Sequence, residues 1–404
     1  MNTADFPAAE PAAPQRTFAQ HTTARVGGPA GRWIVVENEH DAMEVLQSHP
    51  LPTETERAAG GDTLLVLGGG SNLLVSDSGF SGTVLQLAFT GISAQPSNPR
   101  RHPASHPASH RRTVPEVQGT DGVDVVIAAG HNWDEAVAWT VERGLTGLEA
   151  LSGIPGAAGA TPVQNVGAYG AEVSHTLVDA RIWDRAEDEL LTLTNEELEF
   201  GYRSSLLKRT TVAGSPRYVV LSVRFRLTHQ PGPALSAPVR YAELARSLEL
   251  APDAPEAERR ASLAAVRDTV LQLRAGKGMV LDAADHDTWS TGSFFTNPIV
   301  TQDEAAELPE EAPKFPAGTD QDGQPLIKLS AAWLIDRCGC GKGFGADLVS
   351  GRASLSTKHT LAVTNRGAAT TDDLLTVARA ARDRVRDAFG ITLRPEPVLI
   401  GCEL

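Results

Sequence analysis

The stretch that decides the fold is GIPGAAGATPVQNVGAYG, which spans residues 153–170. It carries no charged side chain, and its single aromatic side chain is Tyr169. A solvated surface loop seldom avoids charge over such a length, so that interpretation is the weaker one. Main chain with so few bulky side chains can lie flat against a large planar ligand and aim N–H groups at its edge. The stretch therefore predicts a loop that holds a planar cofactor.

A second glycine turn lies upstream, where residues 68–72 read GGGSN after a short apolar run. Such a run is typical of a buried strand that ends in a tight turn. Consecutive glycines let backbone amides approach a pyrophosphate without collision of side chains. The dinucleotide pattern G-x-G-x-x-G needs a third glycine where this chain has Leu73, and no clean helix follows. We therefore expect a phosphate cradle of another kind, with a purely structural turn as the alternative.

The bulk composition indicates a globular chain of two or three domains. With 404 residues, 41% of them hydrophobic and 21% charged, the chain exceeds one ordinary core. The formal net charge of −14 argues against general nucleic-acid binding but is compatible with a local basic pocket. No segment approaches the ~20 apolar residues that cross a bilayer, and the start lacks the pattern of a secretory signal. We therefore expect no membrane association and a cytoplasmic location.

The cysteine and histidine patterns predict no metal or redox site. Cys338, Cys340 and Cys402 form a sparse, odd set, which favours reduced structural thiols over a disulfide framework. A near-repeat, HPASHPASH, occupies residues 102–110 within a low-complexity insertion at 96–113. Its prolines prevent a helical face on which the histidines could converge, so we expect a mobile insertion without metal.

Local patterns predict both strands and helices, without regular alternation of the two. Strands are expected near residues 63–67, 83–87, 123–128, 180–183, 189–194 and 218–227. Helices are expected at residues 132–143, 256–273 and 371–389. Because strict alternation is absent, the expected fold class is α+β rather than a doubly wound parallel sheet. Residues 1–15, rich in Ala and Pro, are expected to form a disordered tail.

Several separated motifs together resemble one known family. The runs VLGGGSNLLV (66–75), GLEALSGIPG (147–156) and QNVGAYG (164–170) resemble the FAD-binding half of UDP-N-acetylenolpyruvoylglucosamine reductases. The resemblance continues through FGYRSS (200–205), GSFFTNP (292–298) and RPEP (394–397), and so spans roughly residues 20 to 401 in order. Ordered motifs over such a length are far more specific than any one of them.

The resemblance implies two α+β FAD-binding subdomains of the vanillyl-alcohol-oxidase-like (PCMH-type) fold and a C-terminal α+β substrate-binding domain. Subdomain 1 would span residues 16–90, and subdomain 2 residues 91–235 joined by the C-terminal segment 391–404. The substrate-binding domain would span residues 236–390. The implied cofactors are non-covalent FAD and NADPH as reductant. The residues implied in FAD binding are Gly68, Gly69, Gly70, Ser71, Asn72, Leu73, Gly153, Ile154, Pro155, Gly156, Gly159, Ala160, Gln164, Asn165, Gly167, Ala168 and Tyr169.

The family reaction reduces the enolpyruvyl ether of UDP-N-acetylglucosamine enolpyruvate to UDP-N-acetylmuramate, a step of peptidoglycan synthesis. The resemblance implies hydride transfer from flavin N5, with Ser293 as proton donor to the adjacent carbon. Arg203 would clamp a carboxylate or enolate oxygen, and Glu396 would be its acidic partner on the intermediate. Taken singly, each residue also has a structural interpretation: a turn serine, a surface ion pair and a solvated acid.

Further residues are implied in substrate binding. Lys277 and Asn297 match positions near the nucleotide diphosphate, Arg274 belongs to the same basic patch, and Tyr202 lines the pocket. Tyr241 resembles the tyrosine on a mobile loop that covers the substrate in one subclass, with a core aromatic as the alternative. The family precedent also suggests a monomer.

The sequence departs from the family pattern at its first motif. Where the family has Asn-Thr, this chain has His21 and Thr22. Two other hypotheses remain open. One is another FAD-dependent oxidoreductase of the superfamily, such as an alcohol or sugar oxidase, although no histidine for covalent FAD attachment lies in the glycine-rich motifs. The other is a non-catalytic nucleotide-binding protein, which predicts no bound flavin.

Overall fold

The computed structural model describes residues 15–58, 63–97, 121–229, 233–251 and 253–404. The expected tail at residues 1–15 and the expected insertion at 96–113, with its histidines, lie almost wholly outside these ranges. Within the described ranges, no helix combines the length and apolar character that a membrane span requires.

Helices and strands are distributed along the whole described chain. The helices are α1 Glu39–Ser48, α2 Glu54–Ala58, α3 Trp133–Glu142, α4 Leu206–Arg209, α5 Ala242–Ser247, α6 Leu263–Gly276, α7 Gln302–Ala306, α8 Ala331–Arg337 and α9 Thr371–Phe389. The strands are β1 Ala30–Val36, β2 Leu64–Leu67, β3 Leu73–Val75, β4 Phe80–Leu87, β5 Ile92–Pro96, β6 Asp121–Ala128, β7 Leu145–Thr146, β8 Gly167–Ala168, β9 Ala171–Glu172, β10 Leu177–Asp184, β11 Glu189–Thr194, β12 Tyr218–His229, β13 Ile299–Thr301, β14 Lys314–Thr319, β15 Pro325–Leu329, β16 Ala353–Leu355, β17 Val363–Asn365 and β18 Val398–Ile400.

The N-terminal sheet is parallel and small, with strand order β1-β4-β2. Helix α1 begins at an Asn38 cap, whose side chain accepts from the Asp41 amide at 2.9 Å. Its Ala42 and Leu46 pack on the sheet in a buried apolar cluster with Val36 and Leu85. The glycine turn at residues 68–72 leaves this sheet at the carboxyl end of β2.

The second sheet has the strand order β11-β10-β12-β6-β5, and each strand pairs antiparallel with the next along this order. Helix α3 covers it because Trp133, Ala136 and Val137 occur at helical spacing and pack against Val125 and Phe225. The Trp133 indole donates to the Leu151 carbonyl at 3.2 Å, which ties this helix to the glycine-rich loop that follows.

The C-terminal region packs around α9, whose buried residues include Leu374, Val377 and Ala381. The helix runs over the expected residues, because Thr370 and Asp373 form a capping box at its start and Gly390 ends it at φ 69°. The three-stranded sheet β13-β15-β14 and the pair β16-β17 complete this region.

Two elements differ from the sequence-based expectation. The helix expected from residue 256 begins only at Leu263, because Ser262 provides the N-cap by accepting from the Ala265 amide at 3.2 Å. Glu256–Glu258 forms a single 3₁₀ turn instead. The C-terminal strand β18 pairs in parallel with β3, within residues 16–90, and not with the segment 91–235 to which we expected it to be joined. This pairing carries residues 394–397 to the glycine turn at 68–72, since the Val398 amide donates to the Asn72 carbonyl at 3.0 Å.

Candidate active site

The two glycine-rich stretches meet in direct contact. A Cβ on Gly69 would lie 2.5 Å from the Gly156 Cα, which is closer than real atoms approach. The Ser71 hydroxyl donates to the Pro155 carbonyl at 3.0 Å across the same contact. Glycine is required here because the two backbones occupy the space that side chains would need. Together the turn at 68–73 and the loop at 153–170 form one main-chain surface, here called the cradle.

The cradle keeps backbone donors unused. Among the described residues, the amides of Gly69, Gly70, Ser71 and Asn72 donate to no protein acceptor, and neither do those of Ile154 and Gly156. Backbone amides in partly buried main chain normally have partners, so such a run is suited to an anionic ligand. The donor set and the contact of glycine with glycine fit the pyrophosphate and ring of FAD. The residues that sequence analysis assigned to FAD therefore lie together.

The rest of the cradle is held by local hydrogen bonds. The Gly153 amide donates to Asp134 Oδ1 at 2.6 Å, and the Gly159 amide donates to the Ala129 carbonyl at 2.9 Å. Asn165 adopts a φ of 47° and donates to Glu172 Oε2 at 2.7 Å. Gly167 and Ala168 form β8, paired with β9, and Ala160 closes a 3₁₀ turn. These contacts fix the loop before any ligand arrives.

The departure at the first motif is accommodated by backbone contacts. The Thr23 amide donates to the Gly70 carbonyl at 3.1 Å, and the Thr23 hydroxyl donates to the Ser290 carbonyl at 2.6 Å. The His21 carbonyl also lies against Gly70, where no Cβ could be placed. The segment therefore supports the glycine turn through main chain, which explains how His21 can occupy this position.

The charged residues predicted for catalysis lie at one edge of the cradle. Arg203 Nε lies 3.0 Å from Glu396 Oε1, and the Arg203 guanidinium also donates to the Gly167 carbonyl at 3.0 Å. Gln164 Nε2 donates to the same Glu396 oxygen at 3.3 Å, and Asn72 donates to Gln164 Oε1 at 3.0 Å. Arg203 itself has a φ of 53°, a conformation that non-glycine residues adopt only at a cost.

Ser293 is adjacent to this cluster through the backbone. The Glu396 amide donates to the Phe294 carbonyl at 2.8 Å, and Phe295 bridges to Pro395. The half-buried Ser293 therefore lies next to the strand-like pair that carries Glu396. Its hydroxyl makes no hydrogen bond with the described residues, so it is free to donate to a ligand.

Burial governs the ionisation of this cluster. It raises the pKa of Glu396, and the charges of Arg203 and Lys208 oppose that rise. Burial also raises the pKa of Tyr202, whose hydroxyl accepts from the Asn297 amide at 3.4 Å. The structure thus places Tyr202 and Asn297 together, beside Arg203.

The other predicted substrate residues, Tyr241, Lys277 and Arg274, lie around Tyr169, which was predicted to bind FAD. The Tyr169 and Tyr241 rings meet edge to face at 5.5 Å, and Lys277 Nζ lies 5.8 Å from the Tyr169 ring centre. Burial raises the pKa of Tyr169 to about 12, so this hydroxyl stays protonated at neutral pH. Tyr241 is 44% exposed at the start of α5 and is not a core aromatic.

Arg274 joins this group to the cradle. Its guanidinium donates to the Met279 carbonyl at 2.9 Å, and its side chain packs against Gly153. Its buried Nε has no hydrogen-bond partner among the described residues. An unsatisfied buried donor at this position is compatible with a ligand acceptor.

Sequence reasoning missed Lys208. The Ser205 cap turns the short helix α4 so that Lys208 Nζ reaches Gln164 Oε1 at 3.2 Å and the Arg203 carbonyl at 3.1 Å. The available signal was a helix start directly after GYRSS, which places a lysine three residues beyond a serine cap.

Two family models match the chain at the regions that build this site. One, described as an FAD binding domain, matches residues 108–194 and includes the cradle loop. The other, described as the C-terminal domain of UDP-N-acetylenolpyruvoylglucosamine reductase, matches residues 284–400 and includes Ser293 and Glu396. The FAD-binding match and the cradle define the class of the protein: it is an FAD-binding oxidoreductase.

Comparison with known proteins identifies the family. The UDP-N-acetylenolpyruvoylglucosamine reductase of Streptomyces avermitilis is 49% identical, with 96% of this chain and 94% of the relative covered. That of Cutibacterium acnes is 47% identical, with 96% and 90% covered. The crystal structure of the enzyme from Thermus caldophilus has the same fold, with a TM-score of 0.56, 23% identity, and coverage of 96% and 98%. The chain belongs to the UDP-N-acetylenolpyruvoylglucosamine reductase family, and the expected α+β fold class and FAD cofactor are confirmed.

Proposed function

We propose that this chain reduces UDP-N-acetylglucosamine enolpyruvate to UDP-N-acetylmuramate with NADPH as the reductant. The observation that carries the proposal is the contact of Arg203 with Glu396 at 3.0 Å, next to Ser293 and at the edge of the FAD cradle. The cradle at residues 68–73 and 153–170 would hold FAD, which would supply hydride chemistry to the vinyl group of the substrate, with NADPH as the source of the electrons. The side chains of the protein then have to stabilise the resulting enolate and deliver one proton.

Arg203 is suited to the first task. Its two terminal nitrogens donate one hydrogen bond each, to the Asn165 carbonyl at 3.4 Å and the Gly167 carbonyl at 3.0 Å, so each keeps a second N–H for a ligand. A fixed cation in a half-buried site stabilises a developing enolate oxygen more strongly than it would in water. Glu396 holds the guanidinium in position and works with it on the intermediate.

Ser293 is suited to the second task. A serine hydroxyl is a weak acid, so it can protonate only a very basic carbon such as that of the enolate. Its freedom from protein hydrogen bonds lets it point at that carbon and not at a carbonyl group of the protein. After transfer, solvent has to return the proton to the oxygen.

The sugar nucleotide would lie along the residues around Tyr169. Lys277, Arg274 and Asn297 supply donors for the diphosphate, and Tyr202 lines the pocket between them and Arg203. Lys277 is paired with Glu243 at 2.6 Å, so binding of a diphosphate would compete with that ion pair. Tyr241, exposed at the start of α5, would cover the bound substrate, which is our proposal for the subclass. The monomeric state and the cytoplasmic location stay predictions.

The test separates the two half-reactions of the purified, FAD-loaded protein under anaerobic conditions. NADPH should bleach the flavin absorbance between 350 and 500 nm, and UDP-N-acetylglucosamine enolpyruvate should then restore it. Ser293→Ala should leave bleaching near normal and slow recolouring ~10²–10⁴-fold, because a positioned acid has been removed. Thr296→Val removes a hydroxyl from the same loop and serves as the control.

The outcomes are distinct. A flavin that recolours with oxygen but not with the enolpyruvyl sugar would show an oxidase and reject the proposed substrate. A preparation that binds no flavin would show a nucleotide-binding protein without this activity. Equal slowing of both half-reactions in Ser293→Ala would mean that Ser293 is structural.

A further inference from the structure

Lys208 lies inside the charged cluster, yet the reaction described above gives it no role. It is half-buried, and burial lowers the pKa of its ammonium group. Among the described residues, no carboxylate lies within ion-pair distance of it. Its two acceptors are Gln164 Oε1 and the Arg203 carbonyl. A half-buried ammonium group that contacts only neutral acceptors costs folding free energy, which indicates that this group has a role at the site.

The ammonium group determines the orientation of the Gln164 amide. A lysine can only donate, so the Gln164 atom that faces it must be the amide oxygen. The same oxygen accepts from Asn72 Nδ2 at 3.0 Å. The amide nitrogen is therefore turned to the opposite side, where it donates to Glu396 Oε1 at 3.3 Å. With Arg203 Nε also at 3.0 Å from Oε1, both contacts from the protein converge on one oxygen of the carboxylate.

We propose that Lys208 is a positioning residue for Glu396, because it holds the Gln164 amide in the orientation that donates to the carboxylate. This inference rests on the proposed function. Without the ammonium group, only the Asn72 hydrogen bond holds the Gln164 oxygen in place, so the amide turns more freely and its oxygen comes to face Glu396 for part of the time. Two acceptors repel each other, so the carboxylate would leave its place beside Arg203.

The charge of Lys208 acts in the same direction. The ionisable groups that face the Glu396 carboxylate are Arg203, Lys208 and the Tyr202 hydroxyl. Burial raises the pKa of Glu396, and the two cations lower it. Removal of one cation lets that pKa rise further, so the ionised fraction of Glu396 falls at any pH near it.

The experiment measures both half-reactions of FAD-loaded Lys208→Met across a range of pH by stopped-flow absorbance. Recolouring by UDP-N-acetylglucosamine enolpyruvate should be slowed ~10-fold or more, since a charged hydrogen bond is lost. The acidic limb of its pH profile should move up by about 1 unit, while bleaching by NADPH changes little. Lys208→Arg, which keeps a charged donor, should recover most of the rate.

Two further variants separate positioning from a structural effect. Arg209→Met alters the neighbouring residue of α4, which is exposed and paired with Glu199, and should match the wild type in both half-reactions. At a pH above the acidic limb, where Glu396 is ionised in both variants, Gln164→Leu combined with Lys208→Met should be no slower than Gln164→Leu alone, because both changes break the same link. An unshifted pH profile, or equal slowing of both half-reactions in Lys208→Met, would overturn the inference. Failure of the wild type itself to recolour would instead reject the proposed function.

Discussion

Arg185, which is buried, and Arg203, which is half-buried, differ in their acceptors. Arg185, at the end of β10, donates only to neutral groups: the carbonyls of His49, Pro50 and Pro216, and the Ser215 hydroxyl, at 2.7 to 3.1 Å. Arg203 has a carboxylate at 3.0 Å, and its Nε is left without a hydrogen bond. Arg185 thus makes four hydrogen bonds with the protein, whereas Arg203 makes two, to the Asn165 and Gly167 carbonyls, and keeps more capacity for a ligand.

This difference distinguishes Arg185, which stabilises the fold, from Arg203, which is suited to bind a ligand. Burial lowers the pKa of Arg185 to about 10, which still leaves it charged at neutral pH. Its bonds join the segment after α1 to the end of β10 and the start of β12, and so connect the first sheet to the second. Arg203 joins no sheets, and it adopts a costly backbone conformation beside the cradle. Strain and an incomplete set of hydrogen bonds together are typical of a functional site.

The largest effect on stability is expected from Arg185→Met. The change leaves three part-buried carbonyls and the buried Ser215 hydroxyl without this donor, at about 1 kcal/mol each, so unfolding should become easier by about 4 kcal/mol. Urea unfolding of the FAD-loaded protein measures this loss, with the exposed Arg143→Met as control. The folded fraction should still carry out both half-reactions. A stable Arg185→Met protein with slowed recolouring would contradict the structural role of Arg185.

The opposite pattern is expected from Arg203→Met. Recolouring by the enolpyruvyl sugar should slow ~10²–10³-fold, about 2.7–4 kcal/mol of transition-state stabilisation, because the donors for the enolate are lost. Bleaching by NADPH and the urea midpoint should stay close to those of the wild type. Arg203→Lys keeps the charge but not the planar donor pair, and should fall between the two. A large drop in stability would place Arg203 in the same class as Arg185.

The sequence predicted those parts of the site that depend on local residue patterns. The lack of bulky side chains at residues 68–72 and 153–170 predicted the cradle. The structure shows the reason, because the backbones at Gly69 and Gly156 are in direct contact. Contacts between residues far apart in the sequence could not be predicted. Two such contacts are that of residue 208 with residue 164 and the pairing of β18 with β3. Both depend on tertiary packing, which the spacing of residues in the sequence does not show. The helix at residues 371–389 was predictable because its capping box and its glycine stop lie within its own sequence.

The smallest effect is expected at a third arginine, Arg352. Arg352 is 45% exposed and pairs with the buried Asp373 at 2.6 Å, at the first turn of α9. The ion pair and the cap hydrogen bonds from Thr370 lower the pKa of Asp373 to about 2. The contact with Arg352 is the largest cause of the lowered pKa and the cap adds to it, but water screens an exposed cation, so Asp373→Asn should cost only about 1 kcal/mol.

The pH dependence of stability tests this assignment. A carboxyl group whose pKa is lowered in the folded state stabilises the fold above its unfolded pKa of 3.8, and that contribution disappears as the pH falls toward about 2. Urea midpoints of the wild type should therefore fall between about pH 4 and pH 2 more steeply than those of Asp373→Asn. Asp372→Asn, at the exposed neighbouring position, should keep the steeper dependence of the wild type. Parallel curves for wild type and Asp373→Asn would mean that the capping carboxylate, with its pair to Arg352, stabilises the fold no more than a neutral amide does.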